Sequence, residues 1–219
     1  MDRANLAFDS LSSIYDAWFE EQGKLIFVIE VSGFEKILPS LSKPWLEVGV
    51  GSGRFAQALG IEMGIDSSVN MLTLARKRGI SVLLAGGENE CFKNESFGTV
   101  FLIVTLCFVD SPMAVLYEAN RILKADGKVV FGLVLRDSPW GQFYLLKKQE
   151  GRRFYRHATF YSFEELSGFL KTTGFAIENI ASTLFQRPGE VVDLEVPQNG
   201  FSVDAGFTIV VAGKMAASG

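Results

Sequence analysis

An acidic residue and three closely spaced glycines stand near position 50 and have the composition of a ligand site. Glu47 precedes Gly49, Gly51 and Gly53 at the end of an apolar run that begins at Trp45. Such glycines adopt positive φ angles and let a ligand approach the backbone with no Cβ in the way. A carboxylate inside a buried strand is costly unless it meets a cation. The pattern therefore predicts a site for a ligand that carries an ammonium group.

A second acid, Asp66, ends the next predicted strand about 20 residues after Glu47. Nucleotide-binding α/β units place an acid at this interval on the hydroxyls of a ribose, because one carboxylate can accept hydrogen bonds from a vicinal diol. Ser67 or Ser68 is expected to cap the helix that follows. A plain helix-capping acid is the alternative interpretation of Asp66.

Arg54 argues against a dinucleotide as the ligand. The dinucleotide-binding fingerprint needs a small residue at this position, where helix and strand pack closely, and Arg54 is large and charged. A nicotinamide-dependent oxidoreductase on a similar sheet remains a competing hypothesis. A glycine-rich turn of an ordinary α/β protein, without a ligand, is the structural alternative.

The elements that must position these residues alternate along the chain. Apolar runs rich in Val and Ile predict strands at 45–50, 61–66, 80–85, 99–105, 129–135, 175–185 and 206–213. Periodic apolar positions and capping signals predict helices at 25–38, 54–59, 69–78, 111–126 and 162–174, and an irregular loop at 187–204. Parallel sheets bind ligands beyond the carboxyl ends of their strands, so Thr105 is expected to face the site.

Three segments, in order, resemble the class I methyltransferases that use S-adenosylmethionine (SAM) and act on small molecules, the type 11-like family. They are Glu-x-Gly-x-Gly-x-Gly at 47–53, Gly-Ile-Asp-x-Ser at 64–68 followed by Met-Leu, and Glu-Ala-Asn-Arg-Ile-Leu-Lys-Ala-Asp-Gly-Lys at 118–128. The resemblance implies an α/β fold: a Rossmann-like, seven-stranded, mostly parallel sheet with helices on both faces and a C-terminal antiparallel hairpin.

The resemblance also implies SAM as the cofactor and a set of residues that bind it. These are Glu47, Gly49, Val50, Gly51, Gly53, Asp66, Ser67, Gly87, Glu88 and Thr105. Gly87 and Glu88 belong to the loop that lies beside the adenine in related enzymes. Related sequences carry a histidine near Leu106 or Cys107, which this chain lacks, and we assign no general base.

Two segments outside the motifs are expected to meet the acceptor within a single domain of residues 1–219. Residues 1–43 resemble a helical lid, whose aromatic face either packs on the core or covers the site, with Tyr15 and Trp18 touching substrate; its members are Phe8, Leu11, Tyr15, Trp18 and Phe19. Residues 137–160 form a basic, aromatic, substrate-side insertion that either selects an anionic or aromatic acceptor or is a solvated helix face. His157, the only histidine, is a further candidate there.

The composition argues against several classes of protein. A net charge of −4 and a pI near 5.2 argue against nucleic acid and against an anionic membrane as partners. The longest apolar run, 100–109, is about half of a membrane span, and the amino terminus shows no signal-peptide core. Cys91, Cys107 and one histidine give neither a disulfide framework nor a metal site, so a cytoplasmic protein is expected.

These observations lead to one favoured function and one alternative. The favoured function is in-line methyl transfer from SAM to an unidentified small-molecule acceptor. The alternative is a SAM-binding regulator or partner subunit without transferase activity. Cys107 is expected to be a small buried apolar residue and not a nucleophile, because nothing near it in the sequence lowers the pKa of its thiol.

Overall fold

The computed structural model describes residues 3–152 and 155–215, and within them every side chain except those of 3–8, 10 and 11. The helices are α1 (Arg3–Trp18), α2 (Lys24–Ser32), α3 (Arg54–Leu59), α4 (Val69–Lys77), α5 (Pro112–Ile122), α6 (Pro139–Gln149) and α7 (Phe163–Thr172). The strands are β1 (Trp45–Val48), β2 (Met63–Asp66), β3 (Ser81–Leu84), β4 (Phe97–Ile103), β5 (Leu123–Leu133), β6 (Phe175–Thr183), β7 (Gln198–Asn199) and β8 (Phe207–Lys214).

The strands form one sheet in the order β3-β2-β1-β4-β5-β8-β6-β7. The first five strands run parallel to one another, whereas β8 pairs antiparallel with both β5 and β6. The predicted α/β fold with a mostly parallel sheet and a closing antiparallel hairpin is therefore confirmed. The two-residue β7 adds an eighth strand at the edge, inside the segment predicted as an irregular loop, because it pairs with Ala181 and Ser182 of β6.

The sheet is covered on both faces, as its apolar strands require. Every residue of β4 is buried. On one face Phe34, Phe55 and Phe207 pack in a cluster with Phe101 of β4, and on the other face Leu102 packs with side chains of α5 and α7. This arrangement leaves the carboxyl ends of the parallel strands as the edge where loops meet.

Two predicted helix ends differ from the structure. The helix predicted for 25–38 ends at Ser32, and the chain continues as turns with i→i+3 hydrogen bonds, such as that from the Phe34 amide to the Val31 carbonyl oxygen at 3.0 Å. Gly33, the first residue after the helix, packs against Ile209. The helix predicted to reach residue 126 ends at Ile122, and β5 starts at once with the fully buried Leu123. Lys214 satisfies the end of that helix, since its ammonium donates to the carbonyl oxygens of Asn120 at 2.9 Å and Leu123 at 3.1 Å.

The predicted caps that position the helices are present. The Ser68 hydroxyl accepts from the Met71 amide at 3.2 Å at the start of α4, and Ser162 forms a reciprocal capping box with Glu165 at the start of α7. Among the described helices none is long and apolar enough to cross a membrane.

Candidate functional site

Two adjoining cavities lie at the carboxyl ends of the parallel strands. The larger has a volume of about 440 Å³ and the smaller about 140 Å³. They share the wall formed by Tyr15, Phe19, Phe55, Val104, Thr105 and Phe108. A ligand in one cavity would therefore lie beside a ligand in the other.

The glycine loop between β1 and α3 forms one side of the larger cavity. Gly49, Gly51 and Gly53 have φ angles of 73°, 51° and 80°, a region that side chains other than glycine rarely adopt. The amides of Gly49 and Val50 donate to the carbonyl oxygen of Ile65 at 2.8 and 2.9 Å, which fixes the loop to β2. A Cβ at Gly51 would meet nothing within 4 Å, so the backbone there is open to a ligand.

Glu47 places a buried carboxyl group at the base of this cavity. Its side chain is 2% exposed, and its Oε2 atom has no hydrogen-bond partner among the described residues. Burial, and then the nearby Asp66 carboxylate, raise the pKa of Glu47 well above its ordinary value. An orphaned buried carboxyl oxygen on a cavity wall fits a ligand that brings a positive charge.

Asp66 lies on the same wall with both oxygens held by the backbone. Oδ2 accepts from the Gly51 amide at 2.9 Å and Oδ1 from the Ser68 amide at 2.8 Å. Burial raises the pKa of Asp66, and these amide hydrogen bonds counteract part of the rise. The Ser67 amide is a third backbone donor to this carboxylate. A carboxylate has about four acceptor positions, so it can still accept a hydrogen bond from a ligand hydroxyl.

The larger cavity brings together most of the residues proposed from the sequence to bind a cofactor. Its wall contains Glu47, Gly49, Val50, Gly51, Asp66, Ser67, Gly87, Glu88 and Thr105. Gly53 is not on the wall; it lies against α4, where an added Cβ would be 3.0 Å from Ala75. The role of Gly53 is therefore helix packing behind the cavity.

A strained residue aims Thr105 at the glycine loop. Val104, immediately after β4, has a φ of 52°, an outlier for a β-branched side chain. Its amide still donates to the carbonyl oxygen of Gly132 at 2.7 Å. After this bend the Thr105 hydroxyl donates to the carbonyl oxygens of Ile103 at 3.0 Å and Gly49 at 3.3 Å. Backbone strain of this kind clusters at functional sites.

An ion-pair cluster that the sequence analysis missed ties α1 to the glycine loop. The Arg54 guanidinium donates to both oxygens of Asp16, at 2.8 and 3.1 Å, and to Glu20 at 2.6 Å. Arg78 donates to Asp16 at 2.8 Å and to the Ser52 carbonyl oxygen at 2.8 Å. Burial would raise the pKa of Asp16, but hydrogen bonds, those from Arg54 first, lower it to about 2. The only sign of this cluster in the sequence was Arg54 itself, which stands where the dinucleotide-binding motif has its third glycine.

The ion pairs hold α1 over the site. Asp9 adds a second attachment, because its carboxylate accepts from the Ser68 hydroxyl and from the Asn70 amide. Of the two residues predicted to touch substrate, Tyr15 lines both cavities and Trp18 lines the smaller one only. Phe8 and Leu11, predicted on the same aromatic face, lie outside the described side chains.

The smaller cavity is lined mainly by aromatic rings. Tyr144 of α6 stacks on Tyr155 with ring centroids 4.6 Å apart, and Phe160 lies parallel to Tyr144 at 6.1 Å. All three belong to the segment predicted as a substrate-side insertion, and all three line this cavity. His157 does not line either cavity; it lies against the side chain of Arg156 at 3.3 Å.

One further acid, Glu30 of α2, lines the smaller cavity and was not singled out from the sequence. Its position on an amphipathic helix gave no sign of burial, yet its side chain is 8% exposed. Cys107 lies on the same wall, where burial raises the pKa of its thiol to about 12, as an inert thiol requires. No cluster of metal-ligating side chains occurs within residues 3–152 and 155–215.

The chain is similar to known proteins over most of its length. The family model described as "Methyltransferase domain" matches residues 46–131. An uncharacterized protein of Methanocaldococcus jannaschii is 36% identical over 208 residues, which cover 95% of this chain and 98% of that protein. An uncharacterized protein of Mycobacterium tuberculosis is 38% identical over 203 residues, or 92% of this chain and 71% of that protein.

Two solved structures are similar over nearly the whole chain. A crystal structure of a SAM-dependent methyltransferase from Thermotoga maritima, described as a "possible histamine N-methyltransferase", has a TM-score of 0.90 and 34% identity, covering 98% of this chain and 100% of that one. A chain from the complex between the Haloferax volcanii Trm112 methyltransferase activator and a methyltransferase has a TM-score of 0.72 and 16% identity, covering 99% of each. The second similarity concerns the fold alone.

Proposed function

The chain belongs to the SAM-dependent methyltransferases of the type 11 family, and from this premise we propose that it transfers a methyl group from SAM to a small-molecule acceptor. The observation that carries the proposal is the Glu47 carboxyl group, which is buried on the wall of the larger cavity with one oxygen unpartnered among the described residues. The ammonium of the methionine part of SAM would supply that partner.

The other residues of the larger cavity fit the remaining parts of SAM. The glycine loop at Gly49 and Gly51 admits the methionine chain close to the backbone. The Asp66 carboxylate, on the cavity wall, would accept from the ribose hydroxyls. Gly87 and Glu88 border the end of the cavity that would receive the adenine.

When bound, SAM supplies a methyl group on a positively charged sulfur, open to in-line attack by a nucleophile. The protein's part is to align the acceptor with that methyl group and to exclude water. Tyr15 and Thr105 lie where the two cavities meet, so they would border both ligands. The ion pairs of Asp16 hold α1 against the glycine loop and keep this junction covered.

None of the described side chains on the shared wall serves as a general base in this proposal. Burial raises the pKa of Tyr15 above its ordinary value, so its phenol keeps its proton. A base is optional for methyl transfer, since an amine or thiol acceptor can lose its own proton to solvent before it reacts.

The small cavity beside the SAM site favours a transferase over a SAM-binding regulator, because it offers space for an acceptor next to the cofactor. We also propose that the protein works in the cytoplasm. Both cysteines, Cys91 and Cys107, are free thiols, as a reducing compartment requires.

The test is methyl transfer from SAM labelled in its methyl group to a panel of small amines, thiols and phenols. The proposal predicts that label moves to at least one acceptor while S-adenosylhomocysteine accumulates. The variant Asp66→Asn should lose most of the transfer at a subsaturating SAM concentration. Binding of S-adenosylhomocysteine without transfer to any acceptor would favour the regulator instead.

A further inference from the structure

Glu30 places an acid without a counter-charge in the wall of the smaller cavity. Its side chain is 8% exposed, and none of the described hydrogen bonds or ion pairs reaches its carboxyl group. Among the described side chains that line this cavity there is no lysine, arginine or histidine. A buried carboxyl group in this state lowers stability, so a ligand is the natural source of the missing partner.

The rest of that wall suits a cation. Aromatic rings surround the space beside Glu30, including the indole of Trp18 and the phenols of Tyr15, Tyr144 and Tyr155. The faces of such rings attract ammonium groups, most strongly where water is excluded. The described wall therefore combines one acid with several aromatic rings.

We propose that the smaller cavity binds the methyl acceptor as a small organic ammonium ion, with Glu30 as its counter-charge and the aromatic rings as its walls. The proposal rests on the proposed methyl-transfer function, because the cavity adjoins the proposed SAM site along the wall at Tyr15 and Thr105. It narrows the acceptor from any small molecule to an amine. The bound ammonium must give one proton to the Glu30 carboxylate before its nitrogen can attack; the N–CH3 bond then forms as the S–CH3 bond of SAM breaks, and S-adenosylhomocysteine leaves as a neutral thioether.

The volume of the cavity limits the size of that amine. An apolar protein cavity of roughly 150 Å³ holds one benzene molecule, and the volume here is about 140 Å³. An amine with a body about the size of one ring fits this space. Benzylamine, which joins a single ring to one ammonium group, is therefore a suitable probe.

The Glu30 carboxyl group should also make binding depend on pH. Burial raises the pKa of Glu30 to about 8. The other described titratable groups on this wall are Tyr15, Tyr144, Tyr155, Tyr161 and Cys107. All five have pKa values above their ordinary ranges, so they stay neutral between pH 6 and 8. A permanently charged ligand must therefore displace the proton of Glu30 in this interval.

The experiment compares benzylamine with benzyl alcohol, a neutral molecule of nearly the same shape, by calorimetric titration with and without S-adenosylhomocysteine. Wild-type protein should bind benzylamine at least about tenfold more tightly. Glu30→Gln should remove this preference. Glu35→Gln, the same change at an exposed position close by in sequence, should keep it.

Tetramethylammonium, which carries no proton, gives a second readout. Its affinity for wild-type protein should rise about tenfold per pH unit up to about pH 8 and then level off, because Glu30 must ionise to pair with it. In Glu30→Gln the affinity should be weak at every pH. A flat profile in the wild-type protein would contradict the proposal.

The outcomes separate this proposal from the methyl-transfer function. Equal affinities for benzylamine and benzyl alcohol in the wild-type protein, together with tight binding of S-adenosylhomocysteine, would overturn the amine site and leave the cofactor site standing. A preference for benzylamine that depends on Glu30, without any binding of S-adenosylhomocysteine, would support a cation site and overturn the methyl-transfer function.

Discussion

Glu47 and Glu30 are buried acids on cavity walls, and burial raises the pKa of both. A contribution to stability does not explain why either acid is buried, because a buried carboxyl group without a full set of partners destabilises a fold. Strongly shifted pKa values in cavities are typical of functional sites. Ligand binding and stability should therefore respond differently when either charge is removed.

Glu47→Gln should weaken the binding of S-adenosylhomocysteine at least tenfold, or ~1.4 kcal/mol, because the ligand ammonium loses its counter-charge. The melting temperature of the ligand-free protein should stay the same or rise. Calorimetric titration and thermal unfolding measure the two effects. Glu62→Gln, at a side chain that is 87% exposed, is the matched control and should change neither. An affinity within about twofold of wild type would contradict the role of Glu47.

The Glu30 carboxyl group should make stability fall with rising pH. The pKa of this group is about 8 in the folded protein, against an ordinary value of 4.5 that applies to the unfolded chain. Between these values the folded chain holds a proton that the unfolded chain has lost. The contribution is fully present below pH ~4.5 and decreases by up to about 1.4 kcal/mol per pH unit until pH ~8.

Urea unfolding of the ligand-free protein between pH 5 and 9 tests this expectation. Wild-type protein should lose stability relative to Glu30→Gln as the pH rises, and the difference should level off above pH ~8. Glu35→Gln should run parallel to the wild type, since its side chain is exposed. A constant difference between wild type and Glu30→Gln would show that Glu30 titrates normally.

Sequence reasoning found Glu47 and Asp66 but not Glu30. The first two stand at fixed distances from glycines and strand ends, so the local pattern predicts their position on the cavity wall. The burial of Glu30 depends on how α1, α2 and α6 pack over the sheet, and no local pattern reports this. Arg54 was noticed only as a departure from the dinucleotide motif, because its partner Asp16 lies in a distant helix.

At the scale of elements, α1 is attached to the glycine loop by ion pairs and contributes Tyr15 to the walls of both cavities. Asp16 pairs with Arg54 at the start of α3 and with Arg78 at the end of α4. Its side chain is 16% exposed, so these pairs are less screened than those at the surface. Loss of Asp16 should therefore loosen α1 more than it lowers global stability.

Asp16→Asn should reduce the affinity for S-adenosylhomocysteine about three- to tenfold, or ~0.7–1.4 kcal/mol, because the cavity would lose part of its cover. The amides of α1 should exchange hydrogen faster while those of β4 keep their protection. Mass-spectrometric hydrogen exchange resolves the two elements. Glu21→Gln, an exposed acid near the end of α1, should leave both measurements unchanged. Equal rates of hydrogen exchange in α1 of Asp16→Asn and of the wild type would contradict the role of Asp16 in attaching α1.

Gly53 and Gly60, at the two ends of α3, form a matched pair with φ angles of 80° and 74°. Gly60→Ala should cost about 1–2 kcal/mol from backbone strain alone, because an added Cβ meets nothing within 4 Å. Gly53→Ala should cost about 1–3 kcal/mol more, because its Cβ would be 3.0 Å from Ala75 of α4. Urea unfolding measures the stability of both variants. Equal losses of stability would show that α4 moves away from the added Cβ at no cost in free energy.

The elements themselves were largely predictable, and their ends were less so. The bounds of α3, at 54–59, agree with the prediction because glycines stand on both sides. The early end of α2 coincides with the packing of the distant Ile209 against Gly33, and the early end of α5 with the pairing of Leu123 with Phe97 of β4. Contacts of this kind are tertiary and leave no trace in a local pattern.

At the scale of the whole molecule, the order of the strands explains why the two cavities adjoin. β1 lies between β2 and β4, so the glycine loop, Asp66 and Thr105 all emerge at one edge of the sheet. Helix α1 and the segment around α6 both contribute residues to the wall of the small cavity at that edge. The fold thus supplies two neighbouring cavities, which the proposed function assigns to a cofactor and to an acceptor.

A calorimetric titration of the purified protein with S-adenosylhomocysteine, with NADH as the control ligand, tests directly whether SAM is the cofactor. We expect one binding site of roughly micromolar affinity, or about −8 kcal/mol, for S-adenosylhomocysteine and no binding of NADH. Binding of NADH without binding of S-adenosylhomocysteine would contradict the proposed cofactor and would direct attention to a nicotinamide-dependent reaction on the same sheet.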